Sequence, residues 1–345
     1  MVTCMKMKHP AKIDLSLLIL FFNRADVLEK VFEQVRIARP ARLFLYQDGP
    51  RSEADLPGIE ACRKVVANVD WECEVHTQYL DVNQGCDPSE FLAVQWAFSM
   101  TDKLVMLEDD DVPAQSFFPF CKEMLDRYER DERIGMIQGC NCEEITEDVA
   151  EDYFFTANFN ISGWASWRRV FRQWEEHYDF LSNTQAMGEL QKLIKERNLR
   201  KDFLPMCQGH KASGKAFYES IFSASLLLNS QLAIVPRRNM VNNIGILPDS
   251  THFGGGTDDL PPGFRRIFTM PRYEQEFPLR HPKYVIEHIV HRERVYKIQG
   301  WNHPWIHARR SLWELGHRLR KGDFGHIMKS VKNRLSIICK GKNFR

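Results

Sequence analysis

The sequence has no apolar run long enough to cross a membrane. Its longest run, Leu15–Phe22, is interrupted only by Ser16 and has the length of one buried strand, whereas a spanning helix needs about 20 apolar residues. No small-residue cleavage site follows the lysine-rich start, so we expect no export signal. With 43% apolar and 27% charged residues, the 345-residue chain can build a folded core. This excludes a membrane-spanning protein, a fibrous chain and a secreted mini-protein.

Glycine-rich phosphate loops are also missing. No GxGxxG pattern follows the first predicted strand, and no GxxxxGK[ST] pattern occurs. A metal ion, rather than backbone N–H groups of a glycine-rich loop, would then have to bind a diphosphate. The nine cysteines are an odd number without an export signal, which indicates reduced thiols and a cytoplasmic location.

Strand-like and helix-like segments alternate over the first 110 residues. The predicted strands are Leu15–Phe22, Arg42–Gln47, Glu72–Gln78 and Lys103–Leu107, and the helices between them are Asp26–Arg36, Ile59–Val69 and Ser89–Phe98. This alternation predicts an α/β fold with a mostly parallel, twisted sheet flanked by helices. Further along, we predict helices at Phe117–Asp131, Leu190–Arg197 and Ala216–Leu228, and strands at Ile134–Gly139 and Leu232–Val235.

The charge of the chain is strongly uneven although its net value is only +1. Residues 305–345 carry eleven Lys/Arg and two acids, a sum of +9 that leaves −8 for residues 1–304. Apolar residues at helical spacing predict a basic amphipathic helix there: Ile327, Val331, Leu335 and Ile338. An anionic membrane surface is the expected partner, with a plain solvated helix as the alternative. No nucleic acid is expected, because the tail lacks interleaved aromatic residues.

Four acidic residues follow directly on the fourth predicted strand. Ligands of open parallel sheets bind beyond the carboxyl ends of the strands, and adjacent like charges repel unless a cation compensates them. Glu108, Asp109, Asp110 and Asp111 therefore predict a Mg²⁺ or Mn²⁺ site that also holds substrate phosphates. A solvated acidic helix start is the alternative interpretation.

Two other strand ends should lie at the same edge of the sheet. Arg24 follows the first predicted strand and Asp48 follows the second. An arginine suits bidentate phosphate recognition, and an aspartate can accept a hydrogen bond from a nucleobase or ribose. Together with the acidic segment, these residues predict a site for a nucleotide diphosphate and a divalent metal.

Eight segments, taken in order over about residues 15–285, carry a family resemblance. They are FNRADVLEKVFEQVR (22–36), QDGPR (47–51), VDWECEV (69–75), NQGC (83–86), LEDDDVPAQSFFPFC (107–121), SGWASWRRVF (162–171), NMVNNIGILPDSTHF (239–253) and FPLRHP (277–282). This set resembles the nucleotide-diphospho-sugar transferases of GT-A fold. Within them it resembles the bacterial hemolytic-protein-like branch, which is distantly similar to the N-acetylglucosaminyltransferase that initiates complex N-glycans.

The resemblance implies roles for residues of the donor and metal site. Asp110 would be the direct metal ligand and His252 the second one, although a lone histidine in a polar loop can equally be plainly exposed. Glu108 or Asp109 would face the donor ribose or sugar, and Asp111 would be secondary. The residues implied to contact the nucleotide or line its pocket are Arg24, Asp48, Asn83, Gln84 and Gly85. The implied cofactors are Mn²⁺ or Mg²⁺ and a nucleotide-sugar donor, with a UDP-sugar expected.

The resemblance also implies a base and an acceptor surface. Tyr218-Glu219 stands where the family has an aromatic-Asp pair, so Glu219 would be the base. Glutamate moves the carboxylate by one methylene, and a plain polar helix residue is the alternative. Trp164 and Trp167 are the candidate platforms for an acceptor sugar, with Trp164 expected in a loop.

These expectations combine into a function and a domain plan. The function is a metal-dependent glycosyltransferase that transfers a sugar from a nucleotide-diphosphate-sugar to a glycan or lipid-linked acceptor, by direct inverting displacement. The alternatives are a sugar-nucleotide-forming nucleotidyltransferase and a non-catalytic carbohydrate- or membrane-binding protein. We expect the transferase domain at 12–260, a segment packed on it at 261–304 and the basic tail at 305–345. The expected location is cytoplasmic, with peripheral association at the inner face of the membrane as its extension.

Overall fold

The computed structural model describes residues 8–245, 262–300 and 304–321. Its strands within these ranges are β1 (Ile13–Phe21), β2 (Pro40–Gln47), β3 (Glu74–Tyr79), β4 (Lys103–Glu108), β5 (Asp111–Pro113), β6 (Ile134–Gln138), β7 (Tyr153–Thr156), β8 (Trp164–Trp167), β9 (Leu232–Pro236) and β10 (Val241–Asn243). Eight of them form one mixed sheet in the order β3-β2-β1-β4-β8-β6-β9-β7, and β5 pairs separately with β10.

Helices flank this sheet and connect its strands. They are α1 (Ala25–Ala38), α2 (Leu56–Val66), α3 (Cys86–Met100), α4 (Phe117–Arg127), α5 (Arg168–Phe171), α6 (Thr184–Leu193), α7 (Arg197–Ser213), α8 (Tyr218–Leu228), α9 (Pro262–Thr269), α10 (Ile289–Gln299) and α11 (Pro304–Lys321). The α/β fold with a mostly parallel sheet flanked by helices is therefore confirmed.

The first four strands of the large sheet are parallel, as predicted. β1 lies between β2 and β4, and β2 continues to β3, all in parallel register. The middle of β1 is buried on both faces, which is the pattern expected of a strand with helices on both sides. In the order β3-β2-β1-β4, β2 and β3 are added on one side of β1 and β4 on the other, so the strand order reverses between β1 and β4 while the strands stay parallel. In doubly wound sheets such a switch point opens a crevice at the carboxyl ends of the strands, where ligands bind.

The second half of the sheet is mixed. β8 runs antiparallel to both β4 and β6, β9 is parallel to β6, and β7 closes the far edge antiparallel to β9. The chain reaches β8 only after β5, α4, β6 and β7, so a late strand is inserted beside β4. This insertion places the tryptophan segment at the centre of the sheet.

Several predicted element boundaries are wrong. α2 spans Leu56–Val66 rather than Ile59–Val69, and α4 ends at Arg127 rather than Asp131. The third strand begins at Glu74 rather than Glu72, and α3 begins at Cys86 rather than Ser89. The helix predicted at Leu190–Arg197 is instead the end of α6 and the start of α7. The helix is interrupted because the backbone is extended at Ile194 and Glu196, with ψ of 98° and 111°.

The residues after the main sheet contact it through hydrogen bonds and a small apolar cluster. The Tyr273 amide donates to the Asn239 carbonyl over 2.7 Å, and Arg280 forms an ion pair with Asp152 at 2.7 Å. The cluster contains Cys140, Cys142, Ile267, Met270 and Val295. Within the described ranges, no helix is both long enough and apolar enough to cross a bilayer. The predicted helix around 327–338 lies outside the described residues.

Candidate active site

Arg24 and the acidic segment meet at the switch point between β1 and β4. Arg24 directly precedes α1, and its guanidinium binds two carboxylates that follow β4. Nε donates to Asp109 Oδ2 over 3.3 Å and Nη2 donates to Asp110 Oδ2 over 2.8 Å. A second bond joins Nη2 to Asp109 Oδ1. The convergence predicted from the strand ends is therefore present for these three residues.

The acidic segment forms a tight turn between β4 and β5. Asp111 opens β5, where it lies opposite Asn243 of β10. Its carboxylate accepts the Gly163 amide over 2.9 Å and is only 1% exposed. Burial and the charge of Asp110 raise the pKa of Asp111 well above its usual range. Asp111 thus binds backbone amides on either side of the turn, those of Glu108 and Gly163.

Asp110 is held from two sides and is approached closely by a glycine. Its Oδ2 accepts from Arg24, and its Oδ1 accepts from Asn243 Nδ2 over 2.7 Å. A Cβ added at Gly245 would lie 1.9 Å from Asp110 Oδ2, a distance that no pair of unbonded atoms tolerates. Only glycine at position 245 therefore leaves the Asp110 carboxylate in this position.

Asp48 organises a neighbouring loop. Its Oδ1 accepts the amides of Gly49 and Gln84 over 2.8 and 2.9 Å. Its Oδ2 accepts Asn83 Nδ2 and the Gly85 amide over 2.8 and 3.0 Å. A carboxylate has about four acceptor positions, so all of them are used within the protein. A contact between Asp48 and a nucleobase would have to replace one of these bonds.

The loop anchored by Asp48 forms one wall of a large cleft. Gly85 has φ +90° and directly precedes α3, a conformation that favours glycine. The cleft has a volume of about 800 Å³, and its lining includes Arg24, Asp48, Asn83, Glu108 and Asp109. Such a volume lies within the range of small-molecule sites.

Glu108 and Glu90 also line this cleft. The Tyr218 hydroxyl donates to Glu108 Oε1 over 3.4 Å, and the Cys86 thiol lies 3.5 Å from Glu90 Oε1. Burial, followed by the charge of Glu90, raises the pKa of Glu108 well above its usual range. Burial, followed by the charge of Glu219, does the same to the pKa of Glu90. Glu219 is exposed in the first turn of α8, and its negative charge contributes to the raised pKa of both Glu90 and Glu108.

The chemistry of these side chains fits a divalent metal ion. The buried carboxylates of Asp109 and Asp110 share the Arg24 guanidinium, and the repulsion between neighbouring carboxylates is relieved when a cation binds. Mg²⁺ is usually held by one or two carboxylates together with substrate phosphates, and Asp110 can supply such a ligand. Among the described residues, no three His, Cys, Asp or Glu side chains form a metal-binding group. His252, the other expected ligand, lies outside the described residues.

The two tryptophans are not placed as expected. Trp164 lies in strand β8 rather than in a loop, is 1% exposed, and packs with its ring centroid 5.2 Å from that of Phe222. Trp167 is 2% exposed, and its indole N–H donates to the Leu125 carbonyl over 2.9 Å. The acceptor-platform interpretation is wrong for both rings, because neither has a face open to a sugar.

Two residues of the site were not predicted from the sequence. Asn243 lies in the Asn-rich segment, but only the pairing of β10 with β5 reveals that it binds Asp110. Glu90 is 4% exposed on α3. Its signal is its position, because it falls four and seven residues before Val94 and Ala97 on the apolar face of that helix. An acid on such a face indicates a buried role.

Comparisons with known proteins do not show a family for this chain. No protein-family model matches the sequence, and no curated protein is significantly similar to it. One solved structure that is similar in part is 4-diphosphocytidyl-2C-methyl-D-erythritol synthase from Anaerococcus prevotii. It shares 7% identity with a TM-score of 0.27, over 46% of this chain and 74% of that chain. At these values the similarity carries no argument about substrate or reaction.

Proposed function

We propose that this protein is a metal-dependent glycosyltransferase that uses a nucleotide-diphosphate-sugar donor. The observation that carries the proposal is the meeting of Arg24, Asp109 and Asp110 beside a large cleft at the switch point of the sheet. The family resemblance of the ordered motifs supports the same assignment. A UDP-sugar is the expected donor, and a glycan or lipid-linked saccharide is the expected acceptor.

The roles of the residues follow from their chemistry. Arg24 would bind the diphosphate, because a guanidinium recognises phosphate oxygens in pairs. Asp110, with His252 as its expected companion, would hold Mn²⁺ or Mg²⁺. The bound ion would supply stabilisation of the charge on the departing diphosphate. Asp48 would act through the loop 83–85, which it positions against the donor.

The transfer itself needs one base. The acceptor hydroxyl oxygen forms a bond to the anomeric carbon while the bond from that carbon to the diphosphate oxygen breaks. The hydroxyl proton passes to the carboxylate of Glu219, and the nucleoside diphosphate leaves with the electron pair of the broken bond. A single displacement of this kind inverts the anomeric carbon.

The test is nucleotide release from a panel of sugar nucleotides, with and without Mn²⁺, using the wild type and Asp110→Asn. We expect release of nucleoside diphosphate that requires both the metal and Asp110. The matched control is Asp202→Asn, because Asp202 is an exposed aspartate on α7. Pyrophosphate release from a nucleoside triphosphate would instead favour a nucleotidyltransferase. Carbohydrate binding without turnover would favour a non-catalytic protein.

A further inference from the structure

Helix α11 presents an apolar stripe to solvent. Trp305 is 84% exposed, and Leu312, Leu315 and Leu319 are 69%, 43% and 49% exposed. With Ala308, which is also exposed, these positions follow one another at intervals of three and four residues. At 3.6 residues per turn they fall within a stripe about 80° wide. Large apolar side chains grouped in this way indicate a surface that binds something.

Basic residues border this stripe. Arg309 and Arg320 are exposed and lie on the same side of it, roughly 80° to 100° from its centre by helical geometry. Over its whole length α11 carries five Lys/Arg and one acid in sequence. A helix with apolar residues on one face and arginines beside them is the type that lies in a lipid interface. The aliphatic part of an arginine side chain can pack on the apolar layer while its charge stays in water.

We propose that α11 docks this protein onto an anionic lipid surface, with the stripe Trp305–Ala308–Leu312–Leu315–Leu319 facing the acyl chains. The positive charge of Arg309 and Arg320 beside the stripe favours an anionic lipid surface over a second copy of the helix. A second copy packed antiparallel on the stripe would bring the two arginine-bearing sides together, whereas anionic headgroups complement them. The proposal does not depend on the proposed function, but an enzyme acting on a lipid-linked acceptor would need such an attachment.

The first experiment measures co-sedimentation of the full chain with vesicles. Vesicles of phosphatidylcholine alone are compared with vesicles containing one third phosphatidylglycerol, at low and high salt. We expect binding to the anionic vesicles only, and weaker binding at high salt because screening shortens the range of the attraction. Equal binding to both kinds of vesicle, or no binding to either, would overturn the proposal.

Two double variants separate the apolar and charged contributions. Leu312→Ser with Leu319→Ser removes two of the exposed leucines, and Arg309→Gln with Arg320→Gln removes two charges. At about 1 kcal/mol per basic residue near an anionic surface, the charge variant should bind about 30-fold more weakly. The matched controls are Leu193→Ser on α6 and Arg200→Gln on α7, which alter exposed residues of other helices. Equal losses in variants and controls would contradict the assignment to α11.

A spectroscopic readout tests where the helix lies. Trp305 fluorescence should shift to shorter wavelength on anionic vesicles, and Trp305→Phe should remove that part of the change. Light scattering on the protein without vesicles tests whether the stripe instead binds a second copy of the chain. A dimer that the two leucine substitutions abolish, without vesicle binding by the wild type, would assign the stripe to a second copy and overturn the lipid proposal.

Discussion

Replacing Asp109 by asparagine should stabilise the ligand-free protein at neutral pH. The Asp109 side chain is buried beside Asp110, and within the part of the chain that the structure describes both carboxylates form ion pairs with Arg24. Burial raises the pKa of Asp109 to about 6, and the attraction of Arg24 opposes this shift without cancelling it. Asparagine resembles the neutral carboxyl in shape, so the variant removes the buried charge and leaves the packing in place.

The size and sign of the effect follow from linkage. A carboxyl that titrates near 3.8 in the unfolded chain and near 6 in the folded protein favours folding when it is protonated. Its contribution is fully present below about pH 4 and is lost as the pH rises through about 6. At about 1.4 kcal/mol per tenfold change in proton affinity, the loss is about 3 kcal/mol. Asp109→Asn has no carboxyl to ionise at this position, so its free energy of unfolding should not fall in this way as the pH rises.

The assay is urea unfolding of wild type and Asp109→Asn between pH 4 and pH 7.5, followed by tryptophan fluorescence. The free energy of unfolding of the variant should exceed that of the wild type at pH 7.5, and the difference should shrink toward pH 4. Asp202→Asn, the exposed control, should follow the wild type at every pH. Parallel curves for wild type and Asp109→Asn, or a less stable variant at pH 7.5, would refute the electrostatic account of the site.

Three further predictions concern the site and its support. Gly245→Ala should weaken metal-dependent nucleotide binding at least tenfold without unfolding the protein, because the added Cβ would displace the Asp110 carboxylate. Titration calorimetry measures the nucleotide affinity. An unchanged affinity would contradict the close approach of Gly245 to Asp110. Trp164→Ala should lower the free energy of unfolding by about 3–5 kcal/mol, since the ring packs against Phe222. Trp164→Phe should lower it by less. Equal small losses for both variants in urea unfolding would show that the ring is not part of the hydrophobic core. Glu219→Gln should reduce turnover by about 100-fold or more while nucleotide affinity stays within twofold, and Glu219→Asp should retain part of the activity. Steady-state kinetics measure these effects. Normal turnover in Glu219→Gln would exclude Glu219 as the base.

The part of the site that could be predicted from the sequence is the part governed by local rules. Apolar strands separated by single helices predict a parallel sheet, and parallel strands bring their carboxyl ends to one edge. That reasoning alone placed Arg24 near Asp109 and Asp110. It could not show that the guanidinium binds both carboxylates, because the side-chain geometry depends on how α1 leaves the sheet.

The rest of the site depends on contacts between distant parts of the chain. Asn243 reaches Asp110 across 133 positions of sequence, through a short ribbon that has no signature of its own. Trp164 follows Gly163 and resembles a loop residue, yet its strand is inserted between β4 and β6. Asp48 lines the cleft as expected of a nucleotide contact, but the sequence gives no sign that Gly49 and the loop 83–85 use its four acceptor positions. Sequence spacing does not reveal which partner a buried polar group will find.

The most direct test of the central claim is a crystal structure of the protein soaked with UDP and Mn²⁺. We expect the diphosphate at Arg24, the metal ion on Asp110, and the uracil ring along the wall formed by loop 83–85. Nucleotide bound away from the crevice between β1 and β4, or an Asp110 carboxylate that takes no part in holding the ion, would contradict it.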